Sequence, residues 1–140
     1  MNEFAVLGNT VMKAFEAGGT IRRARFVSHS TAADSTVVES NADDVITGIA
    51  QYGGREAPIP SATADPPEAA QAGDSVQVHE NGEDCLVEYG GTVTRGDLLA
   101  SDADGKAVTA ATGENVGAIA NFSGVDGDIC GVTVRLQTAA

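Results

Sequence analysis

Tryptophan is absent, and the 140 residues include only two Tyr, four Phe and two Cys. Val, Ile, Leu and Phe together number 30, because 23 of the apolar residues are Ala. A core built from so little large apolar material is thin, close to the composition at which high net charge leaves a chain unfolded. Such a domain is expected to gain further stability from an oligomer or from a larger surface on which it docks. No run approaches the ~20 apolar residues of a membrane span, which argues against a membrane partner. The first residues do not read as a basic start followed by an apolar run, so no secretory signal is expected. Cys85 and Cys130 have no metal or redox spacing; they read as two reduced, buried strand thiols or as one disulfide.

Basic residues are scarce as well. Eight Lys and Arg stand against 20 Asp and Glu, a formal charge of −12. A uniformly acidic body repels phosphate backbones, which excludes nucleic-acid binding as a main role. The charge is uneven along the chain. Residues 1–29 carry Lys13, Arg22, Arg23 and Arg25 against Glu3 and Glu16, a net +2, which leaves residues 30–140 at −14. The two segments are expected to face different surroundings. The acid excess also suits a halophilic or marine source.

Catalytic signatures are missing too. There is no G-x-S-x-G elbow, no G-x-G-x-x-G, no Walker loop and no H-E-x-x-H. His29 and His79 have no partner at helical spacing, and no nucleophile comes with a base. The chain reads as a non-enzyme with no catalytic residues, no metal and no cofactor. Asp102-Ala103-Asp104-Gly105 resembles part of a calcium loop, but Ala100 and Ala111 stand where further ligands are required, so it reads as a turn. Arg95-Gly96-Asp97 spells an adhesion tripeptide, yet the same Gly-Asp pair recurs at 73–74 and 127–128 without an arginine, and a turn accounts for all three.

What the chain does have is short Val- and Ile-rich runs cut by Gly and Asp, the pattern of strands. Candidates are Ile21–Val27, Thr36–Glu39, Val45–Tyr52, Thr92–Thr94, Leu98–Ala100, Lys106–Thr109 and Val116–Phe122, together with an alternating strand over Cys130–Leu136. Ser75–Glu80 and Glu83–Tyr89 flank Asn81-Gly82, which predicts a hairpin with a type I′ turn. Only Asn9–Ala17 looks helical, with Val11, Met12 and Phe15 on one face and Gly18-Gly19 ending it. Residues 55–72 hold all four prolines and read as a long surface loop.

An internal repeat organises the rest. Thr36–Asp43 lies without a gap over Asp97–Asp104, Ile49-Ala50-Gln51-Tyr52 matches Ile119-Ala120-Asn121-Phe122, and Gly73-Asp74-Ser75-Val76 matches Gly127-Asp128-Ile129-Cys130. The fold class expected is all-β: a small barrel or sandwich built from an internal duplication, with an extended N-terminal arm. Residues 1–19 form the arm and 20–140 a single β domain with related halves at 33–78 and 95–134.

One alternative function follows from Gly96-Asp97-Leu98-Leu99-Ala100 and Asp104-Gly105-Lys106-Ala107, which echo lipoyl and biotinyl carrier domains modified at a hairpin lysine, here Lys106. Gly105 and the residues before it depart from that context. The ordered series Thr20–Val27, Thr47-Gly48-Ile49-Ala50, Gly73–Val78, Glu88–Asp97, Ser101–Lys106, Val116–Ala120 and the final Gly127-Asp128 strand resembles instead the capsid cement, or head decoration, proteins of tailed bacterial and archaeal viruses. The resemblance spans about residues 20–136. It implies a structural virion protein on the outer surface of an icosahedral head, binding the major capsid protein and stabilising the shell. A trimer before a dimer is expected, because subunits clustered on the shell share the cost of ordering the arm. The apolar leader residues Phe4, Val6, Leu7, Val11, Met12 and Phe15, with Arg22, Arg23 and Arg25, are the expected capsid or subunit contacts, and strand addition at an exposed edge the expected mode.

Overall fold

A computed structural model describes residues 14–51 and 68–139, and these contain twelve strands and no helix. The strands are β1 (Ala14–Ala17), β2 (Ile21–Arg22), β3 (Arg25–His29), β4 (Thr36–Glu39), β5 (Gly48–Ala50), β6 (Glu68–Ala70), β7 (Ser75–His79), β8 (Asp84–Glu88), β9 (Leu98–Ser101), β10 (Ala107–Thr109), β11 (Asn115–Ala120) and β12 (Ile129–Thr138). Five close a small barrel in the order β1-β4-β3-β5-β7; a second sheet runs β10-β9-β11-β12-β8, and β2 pairs with β6. The fold is therefore all-β, a small barrel packed against a second sheet.

Side-chain alternation explains the packing. On β3, Val27 points into the barrel with Phe15, Ala17, Val37, Val76 and Val78. Its neighbour Phe26 points out, joining Ile46, Ile49, Val87, Leu99, Val132 and Val134 between the barrel and the second sheet. β5 divides in the same way, with Ile49 outward and Ala50 inward. A strand buried on both faces needs apolar residues at successive positions, and Phe26-Val27 and Ile49-Ala50 supply them. At Gly117 the second sheet must come close: a Cβ there would lie 2.5 Å from Phe26 Cε1 and 2.8 Å from Ile46 Cδ1. The register of β11 against β12 shifts at this point.

A single turn design joins most strands. In Asn41–Asp44, Gln71–Asp74, Glu80–Glu83, Thr94–Asp97, Ala111–Glu114 and Val125–Asp128 the fourth residue's N–H donates to the first residue's carbonyl. The fourth side chain is an acid that accepts the first residue's N–H in return, at 2.5–3.0 Å. The third residue takes φ between 68° and 94°. It is Gly in five turns and Asp43 in the sixth, as a type II-like turn requires. Many of the acids thus serve the backbone.

Several expectations are corrected. β7 and β8 are strands, but they do not form a hairpin: β7 pairs with β5 and β1, and β8 with β12. A type I′ turn needs positive φ at both central residues; here Gly82 has φ 94° and Asn81 is not positive. The turn is pinned instead to β12, where Gly82 N donates to Val134 O and Leu136 N to Asn81 Oδ1. Residues 14–17 are a strand rather than the end of a helix. β1 closes the barrel, parallel to β4 and antiparallel to β7, so the arm does not extend to residue 19. Glu68–Ala70, inside the expected loop, forms β6 on β2. Thr92–Thr94 contributes only an isolated bridge at Val93.

The repeat can be followed in the register. Ile49 pairs with His79 and Ala50 with Val78, while Ile119 pairs with Thr133 and Ala120 with Val132. These are the positions that the repeat superposes. Beside this shared hairpin the halves differ: β3 lies between β4 and β5, whereas β9 pairs directly with β11.

Candidate functional site

The first cluster of charges sits where the barrel meets the second sheet. The Asp102–Gly105 tip of the β9–β10 hairpin lies against β3, with Phe26 N donating to Gly105 O at 2.9 Å. Arg25 donates from Nη1 to Asp104 O at 2.9 Å and from Nη2 to Glu88 Oε1 at 3.3 Å, and its side chain is only 7% exposed. Lys106 Nζ approaches Glu88 Oε2 at 3.3 Å, so one carboxylate holds two cations from different layers. Arg22 grips Glu39 through Nε at 3.1 Å and Nη2 at 2.9 Å, while its backbone N–H donates to the same carboxylate. That hydrogen bond raises the Arg22 pKa above its ordinary value, against partial burial. The arrangement ties layers together and offers neither a nucleophile nor a vacant base.

Arg22 and Arg25, expected at a partner surface, are therefore joined inside the molecule. Burying a guanidinium without a counter-charge is costly, and Glu39 and Glu88 supply one each. The net charge of a segment reports nothing about such long-range pairing. Arg23 lines a cleft of about 10 Å³ with Ala24, Gln51, Leu86 and Ile129. Phe15 is 9% exposed in the barrel core, its ring edge-on to His29 at 5.8 Å. Phe4, Val6, Leu7, Val11 and Met12 lie outside the described residues.

Lys106 is not at a projecting tip. Its side chain is 24% exposed and ion-paired, and the hairpin before it is fastened to the barrel, a poor setting for a swinging prosthetic group. Asp102 Oδ1 accepts the N–H groups of Asp104 and Lys106 at 2.8 and 2.9 Å, so this carboxylate shapes the turn. Asp97 of the Arg-Gly-Asp tripeptide likewise caps Thr94 N and accepts from Thr109 Oγ1. Cys85 and Cys130 are free thiols on adjacent strands, and burial pushes Cys85 up to about 12. Among the described residues no three His, Cys, Asp or Glu gather as metal ligands.

A second region lies on the outer side of the second sheet. Phe122 is 61% exposed and Val125 56%, both in the 121–128 connection between β11 and β12. Their backbone is held firmly. The Tyr89 hydroxyl donates to Phe122 O at 2.7 Å, Arg95 N donates to Ser123 Oγ at 2.9 Å, and Gly124 and Val93 exchange two hydrogen bonds. Burial pushes the Tyr89 phenol up to about 12, which keeps this donor protonated. The Phe122 ring rests on Gly131, where a Cβ would lie 3.0 Å from Cε2. Gly131 is paired with Leu86, itself 39% exposed. Reading the sequence as a strand through Phe122 concealed this surface, because the strand ends at Ala120 and the aromatic falls on a rigid loop.

The edge of β8 beside it is closed to strand addition at Leu86. The Gln51 amide donates to Leu86 O at 2.6 Å and accepts from Leu86 N at 3.1 Å, in the manner of a neighbouring strand.

No protein-family model matches the chain, and no curated protein does. Its fold is shared with a viral head protein. The crystal structure of the head fiber gp8.5 N base of bacteriophage phi29 is similar with a TM-score of 0.62, over 91% of this chain and 95% of that one. The sequence identity is 17%, so the likeness is one of fold.

Proposed function

We propose that this chain is a structural, non-enzymatic virion protein that binds the outer surface of an icosahedral tailed-virus head and stabilises it. The observation that carries this reading is the likeness, over nearly the whole of both chains, to the base of a phage head fibre. The ordered sequence motifs resemble the cement proteins of the same kind of particle. Physical features agree with it. A thin core suits a protein that gains stability from a partner, and a charge of −12 suits an exposed, non-aggregating outer surface. Charged side chains that tie layers and cap turns make a rigid body rather than a reaction centre.

The partner proposed is the major capsid protein, with self-association as a trimer before a dimer. The arm expected to grip the shell or a neighbour is kept for the residues ahead of β1. The test is co-sedimentation of the purified chain with heads that lack it. Saturable binding to a fixed number of sites per head, with raised resistance of the heads to heat or osmotic shock, is the expected result. Binding without stabilisation assigns a decorating role alone, and no binding overturns the reading.

A further inference from the structure

The geometry points to the Phe122–Val125 loop, with Arg95 beside it, as the face that docks on an acidic-rimmed apolar depression of the viral shell. This inference rests on the head-binding reading above and names the surface that performs it. Three observations converge. First, two large apolar side chains, 61% and 56% exposed, project from one connection in a chain short of large apolar residues. Second, their backbone is fixed by Tyr89, Ser123 and Val93 and the Phe122 ring is seated on Gly131, so little freedom remains to be lost on binding. A rigid aromatic anchor of this kind is how a small interface acquires affinity.

Third, the local charges are sorted. Asp128 and Asp97 accept backbone N–H groups within their own turns, and Asp126 lies 3.7 Å from Lys106 Nζ. Arg25, Lys106 and Arg22 are likewise held by acids of this chain. Arg95 is exposed and has no ion-pair partner among the described residues, although its backbone is bound to the Phe122 loop through Ser123. In a protein of net charge −12, an unmatched guanidinium next to an exposed aromatic calls for a carboxylate on the partner.

The experiment compares wild-type protein with Phe122→Ser/Val125→Ser, Arg95→Glu and a control, Val45→Ser, in co-sedimentation with heads lacking the chain. Val45 is 75% exposed and sits by the opposite end of β11, where Asn115 donates to Asp43 O. The double variant and Arg95→Glu are expected to lose at least tenfold in affinity with unchanged melting temperatures, and Val45→Ser to bind as wild type. Arg95 has no side-chain partner to lose among the described residues, so its variant remains informative if the double variant folds poorly. Wild-type binding matched within twofold by both face variants overturns the inference and leaves the head-binding reading intact. Absence of wild-type binding overturns that reading, and the inference with it. Face variants that bind heads normally but sediment as smaller species assign the loop to self-association and also overturn the inference.

Discussion

Glu88 is the residue whose loss should most weaken the polar tie between the two layers of this fold. Its carboxylate meets Arg25 Nη2 and Lys106 Nζ, both at 3.3 Å, and the three side chains are 18%, 7% and 24% exposed. Replacing Glu88 with Ala leaves a buried guanidinium facing only the Asp104 carbonyl, beside an ammonium whose other acid, Asp126, is 69% exposed. Breaking a buried pair costs about 3–5 kcal/mol, and partial exposure with retained solvent access reduces this to about 2–3 kcal/mol. Replacing Arg25 with Met is a milder change. Glu88 keeps Lys106, the aliphatic stem is retained, and the Arg25 Nε, which has no hydrogen-bond partner, is removed. The main loss is the Nη1 bond to Asp104 O. Because Arg22 Nη2 still reaches that carbonyl at 3.4 Å, the cost stays at about 0.5–1.5 kcal/mol, below that of a charge-assisted bond whose acceptor is stranded. Glu88→Ala should therefore be less stable than Arg25→Met by about 1–2 kcal/mol, or roughly 3–8 °C in Tm for a domain of this size. Urea and thermal unfolding followed by far-UV circular dichroism measure the difference, since without Trp the chain has little intrinsic fluorescence. If Arg25→Met is as damaging as Glu88→Ala, the shared carboxylate is not what joins the layers.

Three further outcomes follow from the same structure. Gly117→Ala places a methyl 2.5 Å from the fully buried Phe26 ring and should destabilise by about 1–3 kcal/mol, read as a lower urea midpoint with unchanged slope. Stability should fall as pH rises from about 9 towards 12: Cys85 titrates near 12 in the fold and near 9.0 when unfolded, so only the unfolded chain releases its proton in that window. Below pH 9 the thiol contributes no slope, and Cys85→Val should flatten the alkaline decline, leaving the parts due to Cys130, whose thiol pKa burial also raises, and to Tyr89, which titrates near 12 against an ordinary 10.0. Deleting residues 2–13 should leave the melting temperature nearly unchanged and weaken head binding, whereas deleting residues 2–19 removes β1 and should abolish cooperative unfolding.

Local chemistry was legible in the sequence, and long-range partnership was not. Gly-Asp pairs announced turns, because only glycine adopts φ near 90° readily and an acid in fourth position can cap the first N–H. Ile49-Ala50 and Ile119-Ala120, which the repeat aligns, take matching registers on β7 and β12. Asn81-Gly82 misled because a turn signal fixes a local reversal but not the strands that pair beyond it; Val134 and Leu136 of β12 captured the turn. Phe15 and Ala17 also fit the period-two pattern of a strand, but only their barrel neighbours β4 and β7 distinguish that from the helical reading. The arginines at 22 and 25 gave no sign of Glu39 and Glu88, 17 and 63 residues away. The docking loop was hidden for a similar reason, since Phe122 is recognisable as exposed only once Gly131 is seen beneath its ring.

Cryo-electron microscopy of virions purified with and without this chain is the most direct measurement of its role. The predicted result is density for a 14.1 kDa β body on the outer surface of the head, in repeated symmetric positions, present only in particles that carry the chain. Particles with identical outer surfaces in both preparations, or density confined to the interior or the tail, would contradict a role on the outside of the head.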